Sequence, residues 1–296
     1  MTDDELLPGS EAEQLSGNGS LRGHGLLSKF GWALCSEPGD VRPHNEDFAG
    51  AYALTTPDDA WDRGPLFVVC DGLGGHAAGE VASRAAVEAA LGIWTAPDPR
   101  PPPQALRAAA RAANAAVFDA ALERRQRGMA TTFTALTLAG CQAVVAHVGD
   151  SRCYLVRRGS CTQMTADHSR VGEMLRMGLL NPEQAARHPG RSQLMRVVGI
   201  EPTVQVDIVK ADTEAGDVFV LCSDGLWDIV ANHEIAERAG AVGSPSVPTV
   251  VEAAEQLVDL AIKAGSPDNV TVIVVKVTTG GAVPAAGARR SIFRRG

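Results

Sequence analysis

The 296-residue chain has no apolar run approaching the ~20 residues that a membrane-spanning helix needs. Its acidic opening, MTDDELLPGSEAEQ, lacks both a basic flank and an apolar core, so no secretory signal is expected there. Cys35, Cys70, Cys141, Cys153, Cys161 and Cys222 contain no CxxC pair. They read as reduced thiols, three of them in or beside apolar strand-like runs, as in a cytoplasmic protein. No GxSxG is present, and Ser223 in CSDG has no elbow around it, which argues against serine acyl transfer. The GLGG at Gly72–Gly75 matches neither a P-loop nor a GxGxxG turn. Positive charge is short as well: 27 Lys and Arg face 35 Asp and Glu, a net charge of −8 that argues against a general nucleic-acid binder.

What is present suits a folded domain. With 45% hydrophobic and 21% charged residues, the chain can bury one large core or two smaller ones. Strand candidates are GWALCS, FAGAYAL, LFVVC, TTFTALTLA, QAVVAHV, RCYLVRR, TVQVDIV, DVFVLC and VTVIVVKV, rich in β-branched and apolar residues and bounded mostly by Gly, Asp or Pro. Three segments have helical character. GEVASRAAVEAALGIW places Val81, Ala85, Ala89 and Ile93 on one stripe. An Ala-rich segment follows APDPRPPP, and PTVVEAAEQLVDLAIKAG opens on Pro248 and closes on Gly265. Neighbouring strands close enough for hairpins favour an antiparallel α+β layering over a doubly wound parallel sheet.

Four aspartates stand at strand ends. Asp71 follows LFVVC, Asp150 follows QAVVAHVG, Asp224 follows VFVLCS, and Asp268 precedes VTVIVV. Glu46 and Asp47 sit just before FAGAYAL. Any one such Asp serves a turn by itself. Several converging on one core edge repel one another and raise their pKa values, a cost that a divalent cation removes. An oxygen-only set, without His or Cys at ligand spacing, suits Mg²⁺ or Mn²⁺ rather than Zn²⁺. Arg42, five residues before Asp47, is either a solvated surface charge or a bidentate grip for phosphate. Gly72, Gly74 and Gly75 allow backbone to approach an ion closely.

Seven segments then carry a resemblance: GDVRPHNEDF, LFVVCDGLGGHAAGEVAS, GMATTFTALTL, AHVGDSRCYLVRRG, MTADHSRVGEMLRMG, VLCSDGLWDIV and SPDNVTVIVV, in that order. Together they resemble the metal-dependent Ser/Thr phosphatases of the protein phosphatase 2C family in their bacterial form. The resemblance implies two packed antiparallel β-sheets flanked by helices, a four-layer α-β-β-α sandwich with a flap at about 167–199. It covers nearly all of the catalytic domain expected over 29–278; residues 1–28, rich in Gly, Ser, Glu and Leu without helical period, read as a mobile N-terminal tail, and 279–296 as a basic C-terminal tail without period.

By the same resemblance, Asp71 bridges two ions and the Gly72 carbonyl binds one of them. Asp224 and Asp268 complete the other. Asp150 joins Asp224 at a third, weaker site. Glu46 and Asp47 orient waters, Arg42 takes the substrate phosphate, and Thr131 and Thr132 line the site. Metal-activated water then attacks phosphorus directly, without an enzyme nucleophile. The position after Asp71–Gly72 is Leu73, where eukaryotic relatives carry a proposed acid histidine. The candidates for the acid are therefore His44, His76 or metal-held water, and water is the expectation. The implied partners are phosphorylated proteins, as substrates of Ser/Thr kinases or as the kinase itself, met by a cytoplasmic monomer with no nucleic acid and no membrane insertion. A silent phosphoprotein-binding pseudophosphatase and another two-metal hydrolase such as a nuclease are the competing readings.

Overall fold

The computed structural model describes residues 12–15, 19–26, 29–53, 63–74, 77–97, 99–123, 128–242 and 247–278. Along the chain run β1 (Ala12–Leu15), β2 (Ser20–Leu26), β3 (Phe30–Glu37), β4 (Asp47–Tyr52) and β5 (Leu66–Leu73), then α1 (Ala77–Thr95) and α2 (Pro102–Glu123). Next come β6 (Ala130–Thr131), β7 (Phe133–Ala139), β8 (Gln142–Val148), β9 (Arg152–Arg157) and β10 (Ser160–Gln163), followed by α3 (Arg170–Arg176) and α4 (Pro182–Ala186). The last elements are β11 (Asp207–Asp212), β12 (Val218–Cys222), α5 (Asp224–Trp227), α6 (Asn232–Gly240), α7 (Val247–Lys263) and β13 (Val270–Val277).

The strands form two sheets, in the orders β1-β2-β3-β13-β12-β9-β10 and β11-β8-β7-β5-β4. The strand pairs are antiparallel throughout, from β3 with β13 in one sheet to β4 with β5 in the other. Three apolar layers follow from this. One lies between the sheets and is built on Trp32, Phe67, Leu136, Phe219 and Ile273. A second joins α1 and α2 to the outer face of the smaller sheet, and a third joins α6 and α7 to the outer face of the larger one. This is the expected four-layer sandwich.

The layering explains why LFVVC and VFVLC show no alternation. In β5, Phe67 and Val69 face the other sheet while Leu66, Val68 and Cys70 face helices. In β12, Phe219 and Leu221 point inward while Val218, Val220 and Cys222 meet α6 and α7. With both faces covered, every position is apolar.

Several local expectations shift. The expected mobile tail at 1–28 contains two strands: β1 pairs with β2, and β2 pairs with β3 from Leu21 to Leu26. Leu21 enters the inter-sheet layer, and Ser20 donates to Glu37 at 2.6 Å. Backbone pairing to a neighbour leaves no period in a glycine-rich sequence. The sheet strand expected from Thr203 begins instead at Asp207. On α1 the fully buried positions are Ala82, Ser83, Ala86, Val87 and Ala90, with Val81, Ala85, Ala89 and Ile93 only half-buried beside them. The helix is covered by both the sheet and α2, so two adjacent stripes are sequestered, and the one through Ala82, Ala86 and Ala90 is marked by alanine alone. Within the flap, NPEQ opens helix α4, capped by Asn181, whose side chain and Gln184 form a reciprocal capping box. All six cysteines are unpaired thiols. Residues 279–296, expected as a basic tail, lie outside the described residues.

Phe67 is the keystone of the inner layer. It is fully buried, with its ring centroid 6.1 Å from Phe30 and 5.7 Å from Trp32. Phe67→Ala is expected to cost about 3–5 kcal/mol, read from the urea midpoint at constant m-value. A loss under about 1 kcal/mol would mean that the two sheets close over the gap.

Candidate metal centre

The carboxylates gather because both sheets end strands at the same rim. Asp47 opens β4 and Asp71 lies near the end of β5, and the two are direct register partners. Like charges placed opposite each other across an antiparallel pair repel. From the other sheet, β12 ends at Cys222 and the chain turns through Ser223 into α5, which opens on Asp224. Asp268 stands two residues before β13. Asp150 lies in the connection from β8 to β9, where the chain crosses between sheets.

The backbone around Asp71 is held firmly. Its N–H donates to Thr132 Oγ1 at 2.9 Å, and its carbonyl accepts from Thr132 N–H at 2.9 Å and Thr131 Oγ1 at 2.8 Å. Thr131 and Thr132 thus position the central carboxylate through its main chain. The Gly72 N–H donates to the Glu46 carbonyl at 3.1 Å. A Cβ on Gly72 would lie 2.2 Å from the Gly79 carbonyl oxygen and 2.5 Å from that of Glu46. Three backbones converge where only glycine fits.

Asp47 is 3% exposed, and its Oδ2 accepts from Ser223 Oγ at 2.7 Å. The same hydroxyl accepts from Thr271 N–H at 3.1 Å. Beyond it, Thr271 Oγ1 and Ser36 Oγ are 2.6 Å apart, and Asn45 Nδ2 donates to Ser36 Oγ at 2.9 Å. Asn269 ties the Glu46 segment to β13: its Oδ1 accepts from Glu46 N–H at 2.8 Å, and its Nδ2 donates to the carbonyls of Pro38 and His44 at 2.9 Å. Sequence reasoning missed Asn269, Ser36, Thr271 and the true partner of Ser223. An Asn directly after a strand-end Asp was the one available signal, because such residues bond nearby backbone.

The electrostatics follow from this crowding. Burial first, and then the charges of Asp47, Asp224, Asp150 and Asp268, hold the Asp71 carboxyl well above its ordinary range. Burial and the neighbouring Asp224 push Asp47 up to about 7, against a bond from Ser223 that pulls it down. Burial, Asp268 and Asp228 push Asp224 up to about 6, against a hydrogen bond with Asp71. Burial and Asp224 push Asp150 up to about 8.

Arg42 is half-exposed at the rim, and its Nη2 donates to Asp268 Oδ2 at 2.7 Å. The guanidinium supplies the positive charge nearest that carboxylate. Glu46 presents its carbonyl to Gly72 and to Ser83 Oγ, the latter at 2.6 Å. His44 is exposed, and His76 lies outside the described residues. The flap is anchored by Asp167, which accepts a two-pronged bond from Arg152 at 3.0 and 2.7 Å, and by an Arg191–Asp228 ion pair of 2.7 Å.

Among the described residues, no group of three or more His, Cys, Asp and Glu side chains could by itself hold a metal ion. The donors fit a cation nonetheless, as an open set. Asp71, Asp224 and Asp268 carry hard oxygens to one rim, Gly72 follows Asp71 directly, and among the described residues Arg42 is the cation paired with this set. Ions that retain several waters use such sparse oxygen sets.

The fold and this acidic rim have counterparts among known proteins. Residues 41–270 match the family model of protein phosphatase 2C. The chain belongs to that family. It is 40% identical over 253 residues to the serine/threonine protein phosphatase PstP of Mycobacterium tuberculosis, covering 83% of this chain and 45% of that relative. The chain therefore spans less than half the length of that relative. It is 34% identical over 246 residues to the serine/threonine phosphatase stp of Listeria innocua, covering 81% and 93% of the two chains. The catalytic domain of PstP in complex with two manganese ions superposes with a TM-score of 0.71 at 36% identity, over 84% of this chain and 99% of that one.

The raised carboxyl groups predict how stability depends on pH without metal. Unfolded, these groups titrate near 3.8; folded, Asp224, Asp47 and Asp150 titrate near 6, 7 and 8. Their contribution is therefore complete below about pH 4 and is lost as pH rises through about 6 to 8. The urea midpoint of EDTA-treated protein is expected to fall from pH 5 to pH 8, and saturating Mn²⁺ is expected to abolish that fall. Asp224→Asn should flatten the metal-free profile while reducing turnover more than tenfold at saturating Mn²⁺, since a lost ligand costs several kcal/mol. A steep profile retained in Asp224→Asn would remove Asp224 from the crowded set.

Proposed function

We propose that this chain is a metal-dependent protein serine/threonine phosphatase that hydrolyses phosphoserine and phosphothreonine on proteins. The observation that carries the reading is the meeting of Asp71, Asp224 and Asp268 from two sheets at one rim, with Arg42 bonded to Asp268 at 2.7 Å. A site rich in carboxylate is unsuited to a phosphate on its own. With bound cations and a guanidinium beside it, the same site binds the phosphoryl oxygens strongly.

In this reading Asp71, the Gly72 carbonyl, Asp224 and Asp268 hold two Mn²⁺ or Mg²⁺ ions, and Asp150 with Asp224 holds a third, weaker one. When bound, the ions acidify water and offset the charge on the phosphoryl group. Arg42 orients the phosphate through its planar fork. Ser223 fixes Asp47 rather than attacking phosphorus, because its Oγ is already committed to that carboxylate. Asp47 and Glu46 support the waters around the ions, Asp47 from within the protein and Glu46 from the segment that Asn269 fixes.

The substrate is a phosphoprotein made by a Ser/Thr kinase, or that kinase itself. Among the described residues, large apolar side chains exposed on the flap are Leu175, Met177, Leu179 and Met195, and Val41 is exposed next to Arg42. These offer contact to apolar residues flanking the phosphorylated side chain. The protein is proposed to act as a cytoplasmic monomer. No helix among the described residues is long and apolar enough to cross a membrane.

Hydrolysis of a phosphothreonine peptide is expected with Mn²⁺ and not with EDTA; phosphate release indifferent to Mn²⁺ would overturn the reading. Arg42→Ala is expected to raise KM more than it lowers kcat, with Arg42→Lys restoring only part. An unchanged KM in both variants would return Arg42 to the role of a solvated charge.

The leaving-group proton is expected to come from water rather than from His44 or His76. An aryl phosphate expels a good leaving group and needs no proton, whereas a phosphothreonine peptide does. A positioned acid contributes roughly 10²–10⁴-fold, so a histidine acting as the acid would, on change to Ala, slow the peptide by that factor and spare the aryl ester. Modest and equal effects on both substrates are the expected result.

A further inference from the structure

His168 stands at the start of the flap, one residue after Asp167. It is 3% exposed. Its N–H donates to the Gly149 carbonyl at 2.7 Å, and the Gly149 N–H donates back to His168 Nδ1 at 3.1 Å. Gly149 has φ +110°, and a Cβ there would lie 2.7 Å from Thr132 Cβ. The turn is thus pressed onto the threonine that holds Asp71. Asp150 comes next. Ser151 follows, its Oγ 2.6 Å from Thr132 Oγ1 and its carbonyl accepting from Thr134 Oγ1 at 2.9 Å. Thr132 and Thr134 hold one side of the Asp150 turn, and His168 holds the other.

His168 also grips the far end of the flap. Its carbonyl accepts from Met195 N–H at 2.8 Å. Arg196, one residue on, lies 2.7 Å from Asp207 Oδ1, and His168 Nε2 lies 3.3 Å from Asp207 Oδ2 and 2.9 Å from Arg196 Nη1. The Gly149 N–H requires a lone pair on Nδ1, so the ring proton sits on Nε2. Arg196 and Nε2–H are both donors, and the Asp207 carboxylate is the acceptor that joins them. Burial, and after it Arg196, lowers the His168 pKa, which keeps the ring neutral and the Nδ1 lone pair free. His147 packs against the ring at 4.7 Å and is itself pushed down to about 3 by burial.

We propose that His168 is the positioning residue for Asp150: its Nδ1 and backbone lock the Gly149–Ser151 turn, and its carbonyl and Nε2 tie that turn to the end of the flap. The consequence for metal binding rests on Asp150 being a ligand of the weakest ion. Flap and turn then move as one unit, so an ordered flap and an ordered Asp150 go together.

Two conservative substitutions separate the arms of the clamp. Asn places an amide oxygen at about the reach of Nδ1 and has nothing at Nε2; Gln reaches the Nε2 position and has no acceptor at Nδ1. Hydrogen exchange of the Gly149 and Met195 amides is measured by NMR on metal-free protein, and Mn²⁺ binding by calorimetry. Circular dichroism confirms that each variant is folded. His168→Gln is expected to speed Gly149 exchange and to weaken the last Mn²⁺ by about 10–100-fold, as loss of a supporting partner does, while His168→Asn retains most of both. Gly149 exchange unchanged in His168→Gln, or equal damage in Asn and Gln, overturns the clamp. Asp150→Ala is the separate control. Loss of the weakest Mn²⁺ in that variant supports the ligand reading, and unchanged binding overturns the ligand reading alone, with the clamp still judged by exchange.

Discussion

The structure turns on one electrostatic conflict. Asp47 and Asp71 face each other across a strand pair, and Asp224, Asp150 and Asp268 are close enough to raise the Asp71 carboxyl far out of its normal range. No packing advantage places five carboxylates at the mouth of a sandwich. Their arrangement is unfavourable in the folded chain alone, and such strain concentrates where a ligand relieves it. Everything nearby serves to keep these groups in place despite their repulsion. Thr131 and Thr132 fix the Asp71 backbone, Ser223 takes up Asp47, and Asn269 locks the Glu46 segment.

That support comes from neutral hydroxyls and amides rather than from ion pairs, and the choice has a physical reason. A lysine or arginine buried against Asp71 would satisfy its charge permanently and compete with a cation. Ser, Thr and Asn fix position without neutralising. Arg42 is the exception, and it sits half-exposed, where solvent screens its hold on Asp268 and leaves it free to exchange partners. Arg152 shows the contrast. It is only partly exposed, paired twice with Asp167 and stacked 3.5 Å over the Trp227 ring, as a structural guanidinium should be.

The layers and the acidic rim were legible in the sequence because both leave local traces. Apolar runs such as LFVVC and VFVLC mark strands covered on both faces, and an Asp at the end of each marks a common edge. What stayed illegible was held by pairing across distance. β2 reads as a glycine-rich tail because its order comes from β3. The stripe of α1 lies one position from the expected one, because Ala82, Ala86 and Ala90 give a covered face no strong apolar mark. His168, Ser223 and Asn269 are single polar residues with no period at all. Their importance appears only once Gly149, Asp47 and Glu46 are brought beside them.

The connection between the sheets carries a further consequence. Asp150 lies where the chain leaves β8 for β9, so it belongs to neither sheet's ladder and is ordered only by what grips its turn. Asp71, by contrast, is paired on β5 and bonded through both its N–H and its carbonyl. A carboxylate fixed by a ladder is preorganised, whereas one fixed by a turn depends on the segment that clamps it. The same rim therefore combines a carboxylate held by its strand, Asp71, with one, Asp150, held through a turn that is bonded to the flap by His168.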